Sequence, residues 1–334
     1  MPENISALRF LSKYYEQKKD YDRVFLYFST LKLLGEEKDL ERIFVEANKN
    51  KQPRHPKVPV SDDLFLSHIM HMKTRGPLKD ILTFFPDYGG SLFKPDLKLY
   101  GAGKQERITP KSTSWPEYGT LLQLLGIKDI DIYQTAKGNF KIVIENTDPP
   151  SLIVHIPSLS DLSAQERSFI LTEYLTYIKA GLVLPVKLGK ENFSLFIHAL
   201  VKALNPSATT PDDKNPGLSA LTNTVNGVLT KKQRTALDEP IKKYLKMPDT
   251  YMDEWFKGIE MTGARTGAFF VGDTEPVFSS LVKWHIGDAS LLSNKEKRKD
   301  IFTLSELMQD TLQFYLSDGH FLLRSKLGMS ILSV

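Results

Sequence analysis

Thr172, Glu173 and Thr176 stand at positions i, i+1 and i+4 of an apolar-periodic run, and at roughly 100° per residue they fall on one side of a helix. This is the spacing at which two imidazoles can be aimed at one metal ion with a carboxylate beside them. Here hydroxyls occupy the two imidazole positions. A threonine hydroxyl is a poor zinc ligand beside imidazole, thiolate or carboxylate, so this face alone cannot hold a catalytic zinc. His68 and His71 form the other suggestive pair, with both rings on one face at i, i+3. Two ligands are fewer than a zinc site needs, and a place at an interface or core edge is the expectation. The chain has no cysteine, which removes disulfides, thiol catalysis and thiolate metal sites together. It carries no serine-nucleophile motif, phosphate loop or dinucleotide fingerprint. Gly101-Ala-Gly103 sits in a polar loop without the flanking strand and helix that phosphate binding requires.

The elements that must position Glu173 are legible. Ser163 and Glu166 form a capping box, Gly181 supplies a stop, and Phe169, Ile170, Leu171, Tyr174, Leu175 and Ile178 supply the helical period between them. Upstream lies a β-rich run, with strands expected near Asp131 to Tyr133, Asn139 to Glu145 and Leu152 to Pro157. Lys137-Gly138 and Asp148-Pro-Pro150 are the turn signals between them. Downstream a second long helix is expected from Tyr251 to Phe270, capped by Asp249 and stopped at Gly272.

This order of strands, motif helix and Glu-bearing helix, over residues 115 to 285, resembles the gluzincin peptidases of the HtpX and CAAX-prenyl-protease type. In that family the motif helix reads His-Glu-x-x-His, and the second helix carries a glutamate ligand followed four residues later by an aspartate. The resemblance sets Glu173 at the general base, Thr172 and Thr176 at the lost histidines, Glu260 at the third ligand and Ala264 at the aspartate that would orient an imidazole. An orienting carboxylate has no purpose once its imidazole is gone, so the three losses are consistent with one another. The resemblance therefore implies a peptidase-like domain without zinc, cofactor or catalysis, in which these five positions are vestigial. Restoring histidine at 172 and 176 is expected to recover some metal affinity. Glu173 and Glu260 would approach each other across the old site, where like charges raise at least one pKa, leaving them neutral, water-bridged or paired with a base. Acid/base work of the glycosidase kind would need a sugar cleft for which nothing in the sequence speaks.

Ala7 to Tyr15 and Tyr21 to Leu34 read as two helices joined by the polar turn Gln17 to Asp20 and closed by Gly35, with a further amphipathic stretch from Lys38 to Asn48. The pair resembles a tetratricopeptide unit, and the whole arrangement is similar to the C-terminal end of large bacterial tetratricopeptide proteins. One such unit cannot bury its own apolar face. Phe10, Tyr14, Phe25, Tyr27, Phe28 and Leu31 are therefore expected to meet the remaining domain, a second copy or a protein partner, and they are the candidate interaction residues. The Pro- and Lys-rich segment 49–60 marks a linker, which divides the chain into a hairpin at 1–48 and a peptidase-like domain at 61–334. Within that domain, 61 to 85 is expected to be helical from Ser61 to a turn at Pro86. Residues 191 to 204 form a helix with His198 at its edge, 205 to 217 a mobile loop, Thr230 with Gln233 a cap, and 294 to 328 a helical pair broken near Ser317 to Gly319.

Of the 334 residues 41% are apolar, enough for a substantial core, and 44 basic against 40 acidic residues leave a net charge of +4 that is largely interspersed. Lys295 to Lys299 is the dense basic cluster and reads as a solvated helix start, so no nucleic-acid partner is expected. The N-terminus lacks a signal-peptide pattern and no apolar run approaches about 18 residues, from which a soluble, cytoplasmic protein off the membrane is expected, unlike the membrane-embedded enzymes it resembles. The expected fold is α+β and predominantly helical. It combines a small antiparallel sheet, a metallopeptidase-like helical core and the tetratricopeptide-like hairpin. The expected role is a non-catalytic scaffold or protein-interaction module, with oligomerisation left open. The alternatives are a divergent metal-dependent hydrolase using Glu173 and Glu260, with His155 and His68 the imidazoles nearest to hand, and a plain helical adaptor, which a helical 131–157 would favour.

Overall fold

Residues 4–53, 55–84 and 92–331 are described by the computed structural model; the expected turn at Pro86 lies outside them. In chain order the helices are α1 (Ile5–Gln17), α2 (Tyr21–Leu33), α3 (Asp39–Lys49), α4 (Pro77–Thr83), α5 (Trp115–Leu125), α6 (Ala164–Lys179) and α7 (Val183–Leu204). They continue as α8 (Pro216–Val228), α9 (Lys231–Tyr244), α10 (Tyr251–Val271), α11 (Thr274–Leu281), α12 (Lys295–Leu304), α13 (Glu306–Tyr315) and α14 (Asp318–Lys326). The strands are β1 (Arg107–Ile108), β2 (Asp131–Thr135), β3 (Ile142–Glu145) and β4 (Ser151–His155). The fold is thus α+β and predominantly helical, as expected.

The sheet runs β1-β2-β4-β3 and is mixed rather than antiparallel. β3 and β4 form an antiparallel hairpin, Ile142 opposite Val154 and Glu145 opposite Ser151. β2 then pairs in parallel with β4, Asp131 beside Ser151 and Thr135 beside His155. The reason lies in β4, which has four consecutive buried residues from Ser151 to Val154 and so takes the central position, flanked on both edges. The two-residue β1 was too short to leave a periodic signal.

α6 begins at the capping box, where Ser163 Oγ accepts from the Glu166 amide (3.2 Å) and Glu166 Oε2 accepts from the Ser163 amide (2.7 Å). α10 ends at Gly272 in the left-handed region, φ 72°, but Thr250, not Asp249, stands at its N-cap and makes no side-chain cap bond. α6 and α10 make the most extensive helix–helix contact among the described residues. Glycines permit the close approach. A Cβ at Gly263 would lie 2.6 Å from Glu173 Cγ, and one at Gly267 would lie 2.7 Å from Phe169 Cδ2.

The N-terminal helices share the main core. Phe25, Leu26, Tyr27 and Leu31 are buried in one hydrophobic cluster with residues as distant as Phe321 and Ile331. Asp22 makes two 2.7 Å bonds to the fully buried Arg324. Of the six expected interaction residues, Phe25, Tyr27 and Leu31 are therefore covered by the chain itself, and Phe28 packs edge-on against Phe44 at 5.4 Å; Phe10 and Tyr14 stay open. The surplus apolar surface of the hairpin is met by α11 and the C-terminal helices. The expected linker is likewise laid on the body, with Lys57 N donating to Leu327 O (2.9 Å) and Val60 N to Leu124 O (2.8 Å).

Residues 61 to 84 are helical in pieces, with Ser61 as the first cap: a short turn (Asp62–Leu64), a π-turn (Phe65–Ile69), a 3-10 turn (Met72–Thr74) and α4. Trp255 of α10 holds this broken segment, its Nε1 donating to Thr74 O at 2.9 Å. The loop expected to be mobile is pinned by the bonds Asp212 to His198 (2.7 Å) and Thr210 to Asp213 (2.7 Å). The C-terminal pair is a trio, because Ser305 caps α13 and Ser317 caps α14. Among the described residues no single helix is long and apolar enough to cross a membrane. α6 and α7 pass that test only as a pair bent by 85°.

Candidate functional site

Glu173 is 1% exposed, yet it is among the residues that line a cleft of about 950 Å³ between α6, the start of α7, α10 and the turn after α11. A buried carboxylate needs donors. Tyr177, one turn along α6, donates its hydroxyl to Oε1 at 2.7 Å, and His285 Nε2 meets Oε2 at 3.1 Å. His285 comes from a π-turn, Val282–Ile286, that continues α11 and is closed by Gly287 at φ 80°. The same turn presents Trp284, whose ring meets Tyr174 edge-on at 6.5 Å. Lys141, just before β3, donates to the Trp284 carbonyl at 3.1 Å and lies 4.6 Å over its ring.

Glu260 lines the same cleft from α10, so the two helices bring the two surviving carboxylates of the sequence pattern to one site. Glu260 is open to the cleft and makes no ion pair among the described residues. The cleft walls still withdraw enough water to push its carboxyl up; the charge of Glu173 adds to the rise and His285 opposes it. His285 is pulled down by burial, but the charge of Glu173 and the bond to it win, and the net shift is upward. Burial lifts the Tyr174 phenol to about 12. Tyr177 is held well above its usual value by burial and then by Glu173.

The remaining expected positions do not reach the cleft. Thr172 Oγ1 donates to Ser168 O (2.7 Å) and Thr176 Oγ1 to Thr172 O (2.6 Å), so both hydroxyls are engaged by their own helix. Both residues and Ala264 are fully buried, and none lines the cleft. His155 ends β4 with Nδ1 on Ser158 Oγ at 2.7 Å. His71 accepts from the Lys73 amide at Nδ1 (3.1 Å) and pairs with Asp310 at Nε2 (3.3 Å), which ties the broken segment to α13. His68 lies near Gly319. Neither His155 nor His68 serves Glu173 and Glu260.

The imidazole that does is His285, which sequence reasoning missed. It lies 112 positions beyond Glu173 with no periodic relation to it; the available signal was a Trp-His pair set before Gly287 at the end of a helix. Of the three states open to the carboxylates, pairing with a base is the one found at Glu173. The donor set does not fit zinc. The two hydroxyls are turned to their own backbone, and among the described residues no three His, Asp or Glu side chains converge as a metal-binding group. No family model, no curated protein and no solved structure matches this chain.

Proposed function

We propose that this chain is a non-catalytic binding module, receiving a segment of another protein in the cleft floored by Glu173, Glu260 and His285, on a scaffold that resembles a zinc peptidase without its zinc chemistry. The observation that carries this reading is the closure of Glu173. A general base must offer a lone pair to a water or substrate proton. Each oxygen of Glu173 instead has a partner within the protein, Tyr177 or His285, and at 1% exposure the remaining lone pairs are shut off from solvent. Its role here is to lock the α6 face to the π-turn and so shape the cleft. Tyr174, Phe256 and Trp284 give that cleft apolar wall, and Glu260 gives it an open charge.

A second reading, a divergent hydrolase, draws on the raised carboxyl of Glu260 beside the Glu173–His285 pair, since perturbed acids and bases in a cleft are the raw material of catalysis. One experiment separates the two. Casein and a mixed peptide pool are incubated with the protein, with and without added zinc, and followed by mass spectrometry. No new peptide termini are expected, and Glu173→Gln and Glu260→Gln should match the parent. Cleavage that disappears in Glu173→Gln would overturn the binding-module reading.

A further inference from the structure

Lys190 and Asp253 line the cleft and also line a second chamber of about 480 Å³, bounded by Glu191, Tyr244, Met247, Asp249 and Met252. These two shared residues form an ion pair 2.8 Å long with side chains 47% and 55% exposed. A pair so open to water contributes little and reopens readily. The backbone beside Lys190 also has open space on one side. Gly189 interrupts α7 at φ 69°, ψ 170°, and a Cβ built there would meet nothing within 4 Å.

The charges of the joined space are lopsided. Two of its three lysines are matched by carboxylates, Lys190 by Asp253 and Lys257 by Glu254 (2.9 Å) and Glu306 (3.0 Å), while Lys141, bonded to the neutral Trp284 carbonyl (3.1 Å), keeps one uncancelled positive charge against the three carboxylates that follow. Glu191 and Asp249 in the second chamber and Glu260 in the first form no ion pair among the described residues. A chain with net charge +4 thus leaves unmatched negative charge along this groove. The walls add adaptable apolar surface at both ends, Met247 and Met252 in one chamber and Phe256 and Trp284 in the other.

We propose that the two chambers form one groove across the Lys190–Asp253 pair, and that the groove takes an extended, lysine- or arginine-bearing peptide segment. Its unmatched carboxylates would select the cationic side chains and its apolar walls the residues between them. This rests on the binding-module reading, of which it names the ligand class and extent.

The test uses the full chain and two fluorescein-labelled decapeptides, one alternating lysine with leucine and one alternating glutamate with leucine, followed by anisotropy. The lysine peptide should bind, the glutamate peptide should not, and raising sodium chloride from about 50 to about 300 mM should weaken binding at least about tenfold. Glu191→Gln with Asp249→Asn, which touches the second chamber alone, should weaken binding about fivefold or more, and so should Glu260→Gln, with melting temperatures unchanged. Lys190→Ala should bind as tightly as the parent or more tightly. Equal binding of both peptides would overturn the charge assignment. Indifference to the Glu191/Asp249 variant would end the groove at Lys190 and overturn its extent. Mass spectrometry of the recovered lysine peptide keeps the two proposals apart: an intact peptide agrees with both, whereas a cleaved one defeats the binding-module reading and leaves the ligand class standing.

Discussion

Replacing Asp22 by alanine should destabilise the whole chain, because its carboxylate answers the fully buried guanidinium of Arg324 across 302 positions of sequence. Arg324 Nε and Nη2 each donate to Asp22 at 2.7 Å, and Ile331 N donates to Asp22 Oδ1 at 3.0 Å. Without the carboxylate the guanidinium keeps one bond, from Nη2 to the Met329 carbonyl at 2.9 Å, and its charge has no counter-ion. Breaking a buried pair from one side costs about 3–5 kcal/mol, and the orphaned Ile331 amide adds about 1 kcal/mol. At about 2 °C per kcal/mol the melting temperature should fall on the order of 8–12 °C. The assay is urea and thermal unfolding followed by circular dichroism and tryptophan fluorescence together, with a single transition expected. Most of that cost is the stranded charge rather than lost attraction. The double variant Asp22→Leu/Arg324→Met should therefore return to within about 2 kcal/mol of the parent. By the same reasoning, removing residues 1–50 should unfold the chain rather than release a stable remainder, contrary to the division expected from sequence. An Asp22→Ala loss under about 1 kcal/mol, or two transitions of which the variant moves one, would refute the shared core.

Gly263→Ala should cost about 1–3 kcal/mol, since its methyl would fall 2.6 Å from Glu173 Cγ and 2.8 Å from Tyr177 Oη. A stability unchanged within error would deny the close crossing of α6 and α10. Histidine at positions 172 and 176 would be forced into fully packed space off the cleft, so Thr172→His/Thr176→His should destabilise the protein by about 1–3 kcal/mol and recover no zinc affinity, contrary to the expectation from sequence. Stoichiometric zinc by elemental analysis would refute this. Stability should also fall on both sides of neutrality. His320 is pushed well below its usual 6.5 by burial and then by Arg324, so the unfolded chain binds a proton that the fold refuses, and stability is lost as pH drops below about 6.5. His285 is raised, so its contribution is full below about 6.5 and is lost as pH climbs through the raised value. Urea midpoints from about pH 5 to 8 should lose the acid-side decline in His320→Leu and the alkaline-side decline in His285→Gln; a parent midpoint flat over that range would sink both assignments.

Local signals carried much of the architecture. The capping box at Ser163 and Glu166, the glycine stops at 181 and 272, and the cap at Thr230 with Gln233 are contacts within three or four residues, so their free energy is written in neighbouring positions. That Glu173 and Glu260 share one cleft was expected through the resemblance to the gluzincin order of elements, since the period of either helix states its length and apolar face but not its partner. What tertiary structure alone decided is each side chain's partner. Tyr177 and His285 close Glu173, and only the second of these comes from an element with no sequence relation to it. Likewise, Phe25, Tyr27 and Leu31 read as surplus apolar surface in an isolated hairpin and become core once α11 and the C-terminal helices cover them. An amphipathic pattern states that a face must be buried; it does not state against what, because burial stabilises in proportion to apolar area and is indifferent to the identity of the covering surface. The buried Asp22–Arg324 bond, made between two chain ends that sequence reasoning had separated, is where that choice becomes specific.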